Sequence, residues 1–190
     1  MAIRTTQMSS STGQYNEGWH QVVINGATYG VWKSPNGDQK RFIDVTFEGY
    51  PESMNMRVYE TFNNTTKEEF SIANLFKNAN AGIIAVLKDP TGKKPVVQFD
   101  DEAHFLVGKS INIYMHKDPK NDKYNRIFNV VAPVEQEGEH LSFTAEQVSA
   151  MKNSVEKQVE KKLGNVQNNN SDSFYQASTT ENSVAEERPF

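Results

Sequence analysis

The chain contains no cysteine. That excludes disulfide frameworks, zinc ribbons, thiolate nucleophiles and iron–sulfur ligation, and it fits a reducing compartment. Histidine is scarce: His20, His104, His116 and His140 are the four present, and no two share the i, i+3 or i, i+4 spacing that sets a pair of metal ligands on one helical face. No 18-residue apolar run occurs, and Met1 to Gln14 is rich in Ser and Thr without an apolar h-region. The expectation is a soluble, unsecreted, cytoplasmic protein with no membrane partner. A Gly-x-x-x-x-Gly-Lys-Ser/Thr phosphate loop is missing, since Gly108-Lys109-Ser110 carries its last three letters alone, and so is a Gly-x-Ser-x-Gly elbow. Asp100, Asp101, Glu102 and His104 could gather round a hard cation, but such a group more commonly makes a solvated loop or a helix N-terminus. These absences argue against an enzyme and imply no cofactor and no metal.

What is there is enough for one ordinary core: 190 residues, 36% of them hydrophobic. Twenty Lys plus Arg stand against 24 Asp plus Glu, a net charge of −4, so any attraction for nucleic acid must come from a local patch. Apolar and aromatic residues are dense from Gly18 to about Pro133. From Gly164 to Phe190, 14 of 27 residues are Gly, Asn, Gln, Ser or Thr, too few apolar groups to offset the entropy of ordering. The chain divides accordingly into a flexible N-terminus (1–17), a folded domain (18–143), a C-terminal helix (144–163) and a disordered linker with an acidic Pro-Phe tip (164–190).

Trp19 to Lys33 is rich in β-branched and aromatic residues and broken by Gly26 and Gly30, which suits a long bent strand with a bulge; Asn25-Gly26 could instead be a tight hairpin turn. After the turn signal Ser34-Pro35-Asn36-Gly37-Asp38, Arg41 to Glu48 alternates, with Ile43, Val45 and Phe47 on one face and Phe42 on the polar one. Met54, Met56 and Val58 mark a third strand ending near Thr61. Thr66 to Glu69 spells a capping box, predicting a helix from Lys67 to about Asn78, with a resumption through Gly82 to Leu87 left open. Val96 to Phe99 is a short strand or turn. Gly108 to Lys117 and Tyr124 to Val131 form a hairpin round Asp118 to Lys123. Thr144 and Gln147 cap a last helix, whose thin stripe of Val148, Met151, Val155 and Val159 is marginal alone. Three strands, a helix and two strands is the order of a five-stranded OB barrel, here mainly β with an appended helix; an α+β sandwich is the structural alternative.

Aromatic and basic residues interleave along these strands, a pattern suited to single-stranded nucleic acid, whose bases stack on rings while its phosphates meet Lys and Arg. Tyr29, Trp32, Lys33, Lys40, Arg41 and Phe42 bracket the first hairpin. Arg57, Tyr59 and Phe62 follow on the third strand and its exit. Tyr114, His116, Lys117, Lys123, Tyr124 and Arg126 cluster on the last hairpin, where Lys109 to Arg126 holds five basic residues and two acidic. Burial competes with stacking for every ring, most strongly for Trp32 and Phe128. Phe42, Tyr59 and Tyr114 are the best placed, each opposite an apolar alternation, unless the C-terminal helix covers them.

The terminal Val184-Ala185-Glu186-Glu187-Arg188-Pro189-Phe190 resembles the ends of bacterial single-stranded-DNA-binding proteins, although Arg188 departs from their acidic run. That resemblance implies that Glu186, Glu187, Pro189 and Phe190 recruit replication or recombination proteins: a ring fills a pocket, the free carboxylate meets a base and the acids steer the encounter. From Gly18 to Pro133 the body is similar to small OB-fold single-stranded-DNA-binding proteins of bacteriophages, through TYGVWKSPNG, VTFEG and LVGKSINIYMHKD. The family implies sequence-independent binding of single-stranded DNA in phage replication or recombination, inside the host bacterium, without catalysis. A homo-oligomer is left open. The competing expectation is an OB or β-sandwich interaction adaptor that binds no nucleic acid.

Overall fold

The first strand governs the architecture. β1 (Gly18–Lys33) is continuous, so Asn25-Gly26 is a bulge and not a hairpin turn: Ile24 lies opposite Phe47 and Gly26 opposite Thr46, which leaves Asn25 as the extra residue. A Cβ at Gly26 would come 2.9 Å from Thr46 Oγ1, so the close approach of the strands there requires glycine. The bulge lets one strand serve two partners. Beyond it β1 pairs with β2 (Gln39–Phe47), across a turn in which Gly37 has φ 90° and Ser34 accepts the Gly37 N–H. β2 then pairs with β3 (Met56–Tyr59). We describe residues 15–88, 95–119 and 121–175 of this computed structural model; side chains at 122, 123 and 164–175 are not described.

α1 (Ser71–Asn78) begins four residues later than the capping box predicts. Lys67 takes the left-handed conformation, φ 61°, which stops a helix from starting there. Glu69 caps the helix instead: its carboxylate accepts the N–H groups of Ser71, Ile72 and Ala73 at 2.8–2.9 Å. No helix resumes after Gly82. Ile83–Leu87 is β4, paired with β5 (Val96–Phe99) in a separate two-stranded ribbon, because an apolar run this short serves either period and a strand partner was at hand. β6 (Ser110–Asp118) pairs with the first part of β1 and with β7 (Asn121–Ile127), and the short β8 (Ala132–Pro133) also lies on β6.

The main sheet therefore runs β3-β2-β1-β6-β7. The fold is mainly β, as expected, but the barrel is not closed. Among the described residues no ladder joins β3 to β7; β3 is four residues long, and Tyr15, Pro51 and Met54 line the open seam with Arg57 and Arg126. Ile24, Ile43, Val45, Ile111 and Ile113 are wholly buried and, with Ile72, Leu75 and Phe76 of α1 and Leu106, form one core. Residues 15–17 belong to the packed structure: the Tyr15 ring stacks on Tyr50 at 4.6 Å and its hydroxyl donates to the Gly49 carbonyl.

Thr144 and Gln147 cap α2 (Ala145–Tyr175) reciprocally, as the sequence predicts: the Thr144 N–H donates to Gln147 Oε1, and the Gln147 N–H to Thr144 Oγ1. The helix runs past Leu163 to Tyr175, so the first part of the expected linker is helical. No helix among the described residues is long and apolar enough to cross a membrane.

Candidate nucleic-acid interface

Residues directly opposite in a sheet share a face. Gly30, Phe42 and Tyr59 are in register across β1, β2 and β3, as are Thr28, Asp44 and Arg57, and Trp32 lies opposite Lys40. These rungs lie on the outer face, since the alternate positions Ile43, Val45, Met56 and Val58 are buried. The Phe42 ring lies over Gly30, where a Cβ would collide with it. On its other sides Phe42 meets Tyr59 edge to face at 5.7 Å and the Arg57 guanidinium at 3.9 Å. Trp32 is 41% exposed, and Lys33 and Lys40 are exposed.

Arg57 does not stand alone. Its Nε and Nη2 donate to the two Asp44 carboxylate oxygens at 2.7 Å each, and these bonds hold the guanidinium firmly in its charged form. Such an exposed bidentate pair contributes about 0–1 kcal/mol to folding, so its main effect is to fix the guanidinium plane on the ring. Arg126 is likewise held by Asp118 at 2.6 Å, and Arg41 by Asp101 at 3.4 Å. Three of the predicted cations are thus oriented and partly neutralised.

Tyr29 faces the other way from Phe42. It is opposite Ile43 and packs against the core rim, with Arg41 over its ring at 3.9 Å and its hydroxyl donating to the Asp101 carbonyl at 2.9 Å. Burial first, then the Asp101 charge, pushes its phenol pKa well up. The polar run beginning at Asp100 thereby has local work of its own: Asp100 Oδ1 accepts the Glu102 N–H, and Glu102 pairs with His104 at 3.1 Å. Phe62 is 53% exposed and bridges Glu69, apart from the Phe42 rung.

Tyr114 is not on an open face. It pairs with Trp19, edge to face at 5.2 Å, and α2 lies over both; burial and then the Glu156 charge raise its pKa. The alternation read its face correctly, and the helix covers that face. His116 is opposite Arg126 and meets the Phe128 ring at 6.1 Å. Lys117 is exposed, and Tyr124, 64% exposed, lies with Arg126 on the seam between β3 and β7. The side chain of Lys123, and Glu186, Glu187, Pro189 and Phe190, lie outside the described residues.

Sequence reasoning missed two participants. Asp44 carries the arginine, and only its place in the register opposite Arg57 signals it; Gly30 seats the ring, and its position opposite Phe42 was readable once the strands were paired. Among the described residues no group of three His, Asp or Glu could hold a metal ion. Comparison with protein-family models gives no match, and a search of curated proteins finds no similar sequence.

Proposed function

We propose that the outer face of β1, β2 and β3 binds single-stranded DNA without sequence preference, and that the protein serves phage DNA replication or recombination. The observation that carries this reading is the Phe42, Tyr59 and Arg57 cluster: two rings and a guanidinium held on one sheet face by Gly30 and Asp44, with Trp32 and Lys40 on the next rung. Successive rungs are about 6.6 Å apart, a spacing that lets neighbouring unstacked bases each find a π-face. The sheet order β3-β2-β1-β6-β7, with α1 after β3, supports an OB-like barrel opened at its closing seam. Tyr124 and Arg126 at that seam extend the surface. The Pro189-Phe190 tip would recruit the replication or recombination partner.

A titration of labelled single-stranded and duplex oligonucleotides at two salt concentrations tests the reading. Single strands bind more tightly, and affinity falls with salt by about 0.7 per neutralised phosphate on a log–log plot. Equal affinity for duplex removes it.

One observation favours a protein-interaction adaptor instead. The β4–β5 ribbon exposes Ile84, Leu87 and Val96 by half or more, an apolar surface suited to another protein. Absence of oligonucleotide binding would leave that reading in place.

A further inference from the structure

A second aromatic group lies under α2. Trp19, Tyr114 and Phe128 form a cluster with Val155 and Val159 that is separate from the main core. What holds the helix down is thin: among its described side chains, the buried apolar ones are Val148, Val155 and Val159. Leu163, partly buried, also packs against the cluster, and beside it the helix meets these rings through charged side chains. Glu156 Oε1 accepts the Trp19 indole N–H at 2.7 Å, Lys152 lies 5.3 Å from the Trp19 ring centre, and Lys162 lies 4.6 Å from that of Phe128. A carboxylate bonded to the indole occupies a place that a phosphate oxygen could take. At the edge of α2 a cleft of about 350 Å³, lined by His116, Asp118, Arg126, Phe128, Val159 and Lys162, has the Phe128 ring of this cluster in its wall. Its size suits a nucleobase beside an aromatic wall, and its rim carries Lys162 together with the Arg126–Asp118 pair.

We propose that α2 is a displaceable cover over a second single-strand-binding surface made by Trp19, Tyr114 and Phe128, entered through this cleft. The inference rests on the single-strand reading of the β1–β3 face. It gives the protein two states: one in which the strand lies on the open face alone, and one in which a longer strand continues across β1 and β6 after Glu156 has been displaced. Two weakly held surfaces in series would make affinity depend on strand length more steeply than one surface does.

The test uses the full chain with Trp32→Phe, which leaves Trp19 as its only indole, and compares it with the same protein carrying Val155→Ser and Val159→Ser. In the second protein acrylamide should quench Trp19 more readily, the melting transition of the β-domain should persist, and oligothymidylate should bind about tenfold more tightly, the effect of one added stacked base. Adding Trp19→Leu should cancel that gain. An exposed Trp19 with unchanged or weaker binding overturns the cover. If the double serine variant does not fold, the parent decides: saturation with a long oligothymidylate must quench Trp19, and unchanged emission at saturation overturns the proposal. Equal binding by parent and serine variant removes the cover alone, whereas binding by neither, with the unsubstituted chain also failing to bind, removes the β1–β3 reading with it.

Discussion

Gly30 is the floor on which the Phe42 ring rests. The two are cross-strand partners in β1 and β2, and any side chain at position 30 would occupy the space the ring fills. Gly30→Ala should therefore push Phe42 off the sheet at little cost to the fold, because the atoms that must give way are the far edge of a half-exposed ring. Oligonucleotide affinity should fall with the fold retained. Denaturant melts and a binding titration on the same variant check both halves.

Asp44 neutralises the arginine that the proposed interface presents. Asp44→Asn keeps an oxygen for the guanidinium and removes the negative charge, so single strands should bind more tightly. The salt dependence should steepen by about 0.7 if one more phosphate is engaged. Arg57→Ala should do the reverse. Slopes measured on the two variants separate charge from packing.

Tyr29 sets an alkaline limit. Its phenol pKa is raised above the ordinary 10.0 by burial and by Asp101. A raised folded-state pKa means that the group's contribution to stability is complete below the unfolded value of 10.0 and is lost as pH climbs past it towards the folded value. Stability should decline above pH 10 more steeply than in Tyr29→Phe, which has no phenol to ionise. Denaturation midpoints taken below and above that pH compare the two.

Glu69 caps α1 with three hydrogen bonds but lies off the Phe42 rung. Glu69→Ala should lower stability by about 1–2 kcal/mol and leave oligonucleotide affinity unchanged. Loss of binding at retained fold would tie α1 to the interface.

The alternation of Ile43, Val45 and Phe47 makes the faces of β2 readable and places Phe42 on the opposite, polar one. Gly26 announced the bend in β1. The ribbon at Ile83–Leu87 is not readable, because five apolar residues fit a strand or a helix equally and its partner Val96–Phe99 begins nine residues further along the chain. Barrel closure depends on whether two distant edges meet, which no local pattern encodes. Tyr114 shows the same limit: its outward face is local information, while its cover comes from Val155 and Val159 some forty residues on. The capping box from Thr66 to Glu69 starts the helix one turn too early, since the left-handed Lys67 has no sequence signature.

The most direct test replaces both rings of the central rung. Phe42→Ala with Tyr59→Ala, in a protein whose melting transition and near-ultraviolet spectrum show a retained fold, should weaken binding of oligothymidylate by about 30-fold or more, as the loss of two stacked bases requires. Affinity equal to that of the parent protein would contradict the assignment of the β1–β3 face as the binding surface.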